Sequence, residues 1–281
     1  MTSYQKATSW EEAFTALEQP DIQVLAGGTD VYADEKFPQK NSALLDISNL
    51  KSDTLVEEVV EGWWLDAQTT WSDVMAADLP PLFQGLKDAA RQIGGVQIQN
   101  AGTIGGNICN ASPAADSVPP LLVLDAKIEI RNEGGTRLVP IADFIIGRRK
   151  TILKQGEIVS RLFITRENEN TRSDFIKIGT RAYLVISPVM VAGMINKTED
   201  GTVSDCRIVV GACSEVAVRL EKLEERLCGV KIGQLPEMQL KSSDFEGLSP
   251  ISDARANAEY RLKSAEILVA RLLKQWGAQN G

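Results

Sequence analysis

Leu25-Ala26-Gly27-Gly28-Thr29-Asp30 and Thr103-Ile104-Gly105-Gly106-Asn107 are two glycine-rich turns, and the second runs on into Asn110-Ala111-Ser112-Pro113-Ala114-Ala115-Asp116. Bare glycines beside small polar residues let backbone N–H groups close around an oxyanion such as a pyrophosphate. Taken singly, each is weak evidence: Gly27-Gly28 has a competing reading as a strand-to-helix turn, and Gly105-Gly106 as a helix-entry loop. Taken together, each leaving a hydrophobic run, they point to two lobes gripping one extended phosphate ligand.

Working outward from the first turn, Thr8-Ser9-Trp10-Glu11-Glu12 reads as a helix start with Ser9 as cap and Glu12 completing a capping box. Ile22-Gln23-Val24-Leu25 is a strand that ends in the Gly27-Gly28 turn, and Ala43-Leu44-Leu45-Asp46-Ile47 is the next. This β-α-β unit, over 1–55, puts the turn at the carboxyl end of its first strand, where α/β proteins place ligands. The second block, 56–170, opens on paired strands at 55–60 and 63–67. Helices follow over 70–77 and 82–92, and then a long glycine-bearing loop. Pro119-Pro120 starts another helix, 127–131 alternates as a strand up to the Asn132-Glu133-Gly134-Gly135 turn, and Ile158 to Thr165 is the last strand. The polar run Arg166 to Ser173 marks the boundary to a third block, 171–281. There, strands at 175–179, 189–196 and 203–211 form a three-stranded sheet, and a helix over 253–276 carries apolar residues at spacings of three and four. The fold class is α+β.

Composition excludes several functions. The chain has 281 residues, 43% hydrophobic, with a net charge of −8. That balance disfavours nucleic acid, whose phosphates need a basic field. No stretch reaches the ~20 apolar residues of a membrane span. Met1-Thr2-Ser3-Tyr4-Gln5-Lys6 leads into a mixed polar helix, not an apolar secretory segment, so the expected location is the cytoplasm. With no histidine, serine-histidine and cysteine-histidine nucleophiles and histidine metal ligands are ruled out. Cys109, Cys206, Cys213 and Cys228 contain no C-x-x-C pair, which speaks against a zinc or iron–sulfur site in this chain. The last three read as buried hydrophobes. Cys109, close to the second turn, is placed to line a ligand site.

Ala26-Gly27-Gly28-Thr29-Asp30, Thr103 to Asn107, Ala111 to Asp116 and Phe175-Ile176-Lys177-Ile178-Gly179-Thr180-Arg181 together resemble the FAD-binding medium subunit of the molybdenum hydroxylases. That group includes xanthine dehydrogenase, aldehyde oxidoreductases and aerobic carbon monoxide dehydrogenases. The resemblance covers the whole chain, through Val210-Gly211-Ala212 and Ala258-Glu259-Tyr260-Arg261. Gly147-Arg148-Arg149-Lys150-Thr151-Ile152-Leu153 is similar to the xanthine dehydrogenase branch. It implies a two-lobed, PCMH-type FAD-binding domain followed by a C-terminal domain in which a small antiparallel sheet packs on helices.

The resemblance also implies site residues. Leu25, Ala26, Gly27, Gly28, Thr29, Asp30, Val31 and Tyr32 would wrap the FAD pyrophosphate from one side, and Thr103, Ile104, Gly105, Gly106 and Asn107 from the other. Asp116 would hydrogen-bond the ribityl or phosphate region, Ile93 would sit near the adenine or flavin, and Ile158 and Lys177 would approach the ring. Asp116 reads alternatively as a cap for the helix at Val118, and Lys177 as a lysine on a solvated strand face. Many relatives carry an aspartate where this chain has Val185, which alters the charge near the flavin, and Tyr183 could shield the ring or sit in the core. No catalytic residue or metal ligand is implied in this chain. Molybdenum cofactor and 2Fe-2S clusters would sit on a large molybdopterin-binding subunit and a small 2Fe-2S subunit, in a heterotrimer that often doubles. Electrons would pass to NAD or oxygen. The competing classes are a stand-alone FAD-dependent oxidoreductase binding its own organic substrate and a non-catalytic nucleotide-binding scaffold.

Overall fold

The computed structural model describes residues 3–31, 43–179 and 187–278. In chain order these form β1 (Ser3–Lys6), α1 (Trp10–Leu17), β2 (Ile22–Leu25), β3 (Ala43–Asp46), β4 (Val56–Val59), β5 (Gly62–Asp66), α2 (Trp71–Ala76), α3 (Gln84–Gln92), α4 (Val96–Ala101) and α5 (Ile104–Asn110). Next come α6 (Val118–Val123), β6 (Lys127–Asn132), β7 (Gly135–Pro140), α7 (Ile141–Phe144), β8 (Ile145–Gly147), β9 (Lys150–Thr151) and β10 (Ile158–Thr165). The remainder is β11 (Arg172–Ile178), β12 (Val189–Lys197), β13 (Val203–Gly211), β14 (Val218–Arg219), α8 (Glu221–Leu227) and α9 (Ala258–Ala278). Two compact units result: Met1–Ala77 with Gly95–Ala111 and Asp125–Arg166, and Asp78–Gly94 with Ser112–Leu124 and Glu167–Gly281.

The first unit holds a parallel sheet in the order β1-β3-β2 and an antiparallel sheet in the order β4-β5-β10-β6-β7. In the parallel sheet Leu25 pairs with Asp46, and Ile47 N–H donates to the Leu25 carbonyl at 2.9 Å, so the first glycine turn leaves a fixed strand end. Ser9 caps α1, accepting from the Glu12 N–H at 3.3 Å. Edge strand β1 is exposed along its length, which is why it carries no apolar alternation to mark it in the sequence.

The antiparallel sheet carries a register shift between Val159 and Arg161, a bulge at Ser160. It turns the Ser160 carbonyl toward the Ala67 N–H at 2.9 Å, and the Ala67 carbonyl in turn accepts from Gly105 N–H at 2.9 Å. Bulges re-aim strands next to sites in this way. Beside the bulge, Glu129 accepts from Ser160 Oγ at 2.6 Å and from the Arg161 guanidinium at 2.9 and 3.0 Å. Burial opposes its charge, but the Arg161 and Ser160 hydrogen bonds win and hold its carboxyl below the ordinary 4.5. A carboxylate depressed on folding contributes stability above its unfolded pKa and loses it as pH falls through the folded value. Glu129→Gln is therefore expected to lower the urea midpoint at pH 7. The gap from the parent should close as pH drops below about 4.5, and a pH-independent gap would overturn the assignment.

In the second unit, β11-β12-β13-β14 is an antiparallel sheet whose core includes Val191, Ile208, Leu268, Leu272 and Trp276. Buried Asp174 on β11 accepts from Trp276 Nε1 at 2.8 Å and Gln275 Nε2 at 2.9 Å, which anchors the end of α9. The sheet has four strands where the sequence pattern gives three, because two-residue β14 is too short to show alternation. The final helix begins at Ala258, not at 253, with Asn257 Oδ1 accepting from the Tyr260 N–H at 2.7 Å. Among the described residues no helix is long and apolar enough to cross a membrane.

Candidate functional site

In the first unit the two glycine turns meet. A Cβ on Gly27 would lie 1.7 Å from the Ala101 carbonyl oxygen, and one on Gly106 would lie 2.9 Å from Thr103 Oγ1 and 3.9 Å from Ala26 Cβ. Gly28 has φ +69°, a left-handed value that glycine takes without strain. The loop expected at 103–107 is in fact the start of α5, with Thr103 as its N-cap. Thr103 forms an isolated bridge with Thr70, which caps α2 through a capping box with Asp73.

That geometry divides the labour between the turns differently from the sequence expectation. The second turn uses its donors internally: Ile104 N–H bonds the Thr69 carbonyl at 2.9 Å, Gly105 N–H the Ala67 carbonyl at 2.9 Å, and Gly106 N–H the Thr103 hydroxyl at 3.0 Å. The N–H groups of Ala26, Gly27, Gly28 and Thr29 make no hydrogen bond to another described residue. Those backbone donors can receive oxyanion oxygens, while exposed Gly106, next to Ala26, leaves room for them.

The end of the first turn is tied by a residue that sequence reasoning missed. Arg149, in the two-residue turn between β8 and β9, pairs with Asp30 at 2.6 Å and also donates to Asn110 Oδ1. Its backbone N–H bonds the Ala111 carbonyl at 2.9 Å, and both Arg149 and Ala111 have left-handed φ, +57° and +47°. Non-glycine residues in that region cost about 1 kcal/mol or more each, and such strain gathers at ligand sites. The Asp30 pair is half exposed, so its worth to stability is slight. Leu25 and Ile104 are buried, and Ile158 is packed at 3% exposure with Ala7, Ala13, Leu17, Leu45 and Ile47. Half-buried Cys109, on α5, has its thiol pushed up to about 12 by burial.

The second unit holds a separate constellation. Lys177 Nζ on β11 donates to Asp116 Oδ2 at 2.7 Å and to the Gln92 carbonyl at 3.0 Å, beside Ile93 at the end of α3. Ser187 Oγ donates to the other Asp116 oxygen at 2.9 Å. With side-chain exposures of 7% and 9%, Lys177 and Asp116 are not the solvated lysine and the helix cap that the sequence left open. The Asp116 carboxyl bonds side chains, and α6 has no side-chain cap. Burial raises the Asp116 carboxyl above its ordinary value, against the pull of Lys177 and Ser187. Tyr32, Tyr183 and Val185 lie outside the described residues. Gln92 and Ser187 carry no motif of their own, and Arg149 lies in a stretch whose likeness is to one branch of a family.

Residues 1–166 match the family described as "FAD binding domain in molybdopterin dehydrogenase", and residues 175–276 match "CO dehydrogenase flavoprotein C-terminal domain". The chain belongs to the FAD-binding medium subunits of the molybdenum hydroxylases. It is 29% identical to the xanthine dehydrogenase FAD-binding subunit of Escherichia coli O157:H7, over 99% of this chain and 97% of that one. It is 30% identical to the nicotinate dehydrogenase FAD-subunit of Eubacterium barkeri, over 74% of this chain and 72% of the relative. The solved quinoline 2-oxidoreductase from Pseudomonas putida 86 superposes with a TM-score of 0.86 over 99% of this chain and 98% of that chain, at 23% identity, which shows a shared fold. The relatives of this medium subunit are flavin subunits of oxidoreductases.

Proposed function

We propose that this medium subunit holds FAD with the first glycine turn as its pyrophosphate donor and passes electrons within a molybdenum hydroxylase complex. The observation that carries the reading is the run of N–H groups from Ala26 to Thr29 without a partner among the described residues, beside side-chain-free Gly106. Leu25 to Tyr32 would hold the pyrophosphate, and Thr103 to Asn107 would wall it, with Gly106 keeping a side chain out of its way and Gly105 letting the wall pack closely on Ala67. In the second unit Asp116, a carboxylate that can accept from a hydroxyl, is held in place by Lys177 and Ser187, with Ile93 following the Gln92 carbonyl that also receives Lys177. Ile158 would act from within the core, in the cluster against which Ala26 of the first turn packs.

When bound, FAD would supply the redox chemistry that links the 2Fe-2S clusters of a small subunit, which serves a large molybdopterin subunit, to NAD or oxygen. This chain's residues bind and orient the cofactor. The hydroxylated substrate, whether purine, other N-heterocycle or aldehyde, belongs to the large subunit.

The test is the visible spectrum of the purified chain, with the chromophore released by acid and identified. Flavin bands and about one FAD per chain are expected, with reoxidation by NAD or oxygen then compared. In Gly106→Val a branched side chain fills the space beside Ala26, so flavin occupancy should fall several-fold while far-ultraviolet dichroism is kept. A parent chain that is colourless and refuses added FAD would overturn the reading.

A further inference from the structure

Two cysteines of the second unit, distant in sequence, are brought side by side. Cys206, on β13 opposite Ile195, is 1% exposed, and its Sγ donates to the Glu224 carbonyl at 3.7 Å. Cys228, the first residue after α8, is exposed, and its backbone N–H donates to that same carbonyl at 3.1 Å. The following residues run beside the start of β13: Gly229 N–H bonds the Val203 carbonyl and Val203 N–H bonds the Val230 carbonyl, both at 2.9 Å. The Cys206 Sγ and the Cys228 backbone N–H thus converge on one carbonyl oxygen, which sets the two residues beside each other. Both are free thiols, and neither belongs to the two constellations described above.

We propose that Cys206 and Cys228 are a peroxide-oxidisable pair that closes to an intramolecular disulfide tying the end of α8 to β13. Exposed Cys228 meets the oxidant first. Its sulfur attacks one oxygen of hydrogen peroxide, the O–O bond breaks, and one water leaves, giving a sulfenic acid. The Cys206 sulfur then attacks the Cys228 sulfur, the S–O bond breaks, and the second water carries away the Cys206 proton. Two thiols have lost two electrons and one peroxide has become two waters. The neighbouring thiol is what diverts Cys228 from further oxidation to sulfinic acid. Burial raises the Cys206 thiol. A raised thiol is both a slow nucleophile and a poor leaving group, so closure onto the Cys228 sulfenic acid and later re-reduction through the exposed Cys228 sulfur are both slow.

The full-length chain, treated with hydrogen peroxide, alkylated and digested without reductant, should yield a peptide joining Cys206 to Cys228. Two of the four cysteine thiols should be lost to alkylation and return after dithiothreitol. Cys228→Ser should leave Cys206 as a thiol throughout, and Cys206→Ala should send Cys228 to sulfinic or sulfonic acid under the same treatment. The proposal is overturned if parent Cys228 becomes sulfinic acid, or links to a second copy, while Cys206 still alkylates, or if both thiols survive unchanged.

Discussion

Gly27→Val is expected to purify without flavin and to lose on the order of 2–3 kcal/mol of stability, the cost of overpacking a closed site. The reason lies in what surrounds the new Cβ. It would stand 1.7 Å from the Ala101 carbonyl oxygen, 2.5 Å from the Ala101 carbonyl carbon and 3.2 Å from Gly102 Cα. All three are backbone atoms, and none can swing aside as a side-chain tip could. The turn itself must move, and with it the N–H groups of Ala26 to Thr29 on which the FAD reading depends. Urea unfolding measures the first effect, and the ratio of flavin to protein absorbance the second. Gly156→Ala is the control. Gly156 has φ +82° with open space around the missing Cβ, so that change should cost about 1 kcal/mol in backbone strain and leave flavin occupancy unchanged. Flavin retained by Gly27→Val at the parent level would sink the role given to the first turn.

Lys177→Met should be the most destabilising change in the second unit, by about 3–5 kcal/mol at neutral pH, because it leaves the buried Asp116 carboxylate with only the Ser187 hydroxyl. The loss should depend on pH in a definite sense. Burial already raises the Asp116 carboxyl above 3.8, and removal of the lysine raises it further. A carboxyl whose pKa is raised on folding holds its proton more tightly in the folded chain, so stability falls as pH climbs from the unfolded value through the folded one. Lys177→Met should thus stand near the parent at pH 4 and far below it at pH 8. Adding Asp116→Asn removes the charge that was stranded, and the double variant should recover most of the loss at pH 8. Urea midpoints of the four proteins at the two pH values decide this. An additive double variant, or a deficit that does not change with pH, would show that the pair is not coupled.

Much of the candidate site was legible in the sequence because it consists of contiguous strings. Gly27-Gly28 and Gly105-Gly106 are unusual locally, and their meeting could be guessed from their likeness. Asp116 and Lys177 were picked out by resemblance alone, since a lysine in an alternating strand and an aspartate before a helix have ordinary explanations. Arg149 stayed hidden because its partners, Asp30 and Asn110, lie far from it in sequence and the hairpin turn that delivers it is two residues long. The helical character of 104–110 was masked by its glycines, which argue against helix locally. The Thr103 cap and the Ala67 and Thr69 carbonyls overrule them.

The sequence by itself determined the family, the mixed fold class and the two turns, because short-range patterns of glycine, alternation and capping are written in neighbouring residues. Only the tertiary structure decided which turn keeps its donors. The Ser160 bulge and the Thr70–Thr103 bridge bring the Ala67 and Thr69 carbonyls, from the segment between β5 and α2, onto the N–H groups of the second turn. A backbone donor can be taken by one acceptor or offered to another, and which of these happens is fixed by long-range packing that no local string records.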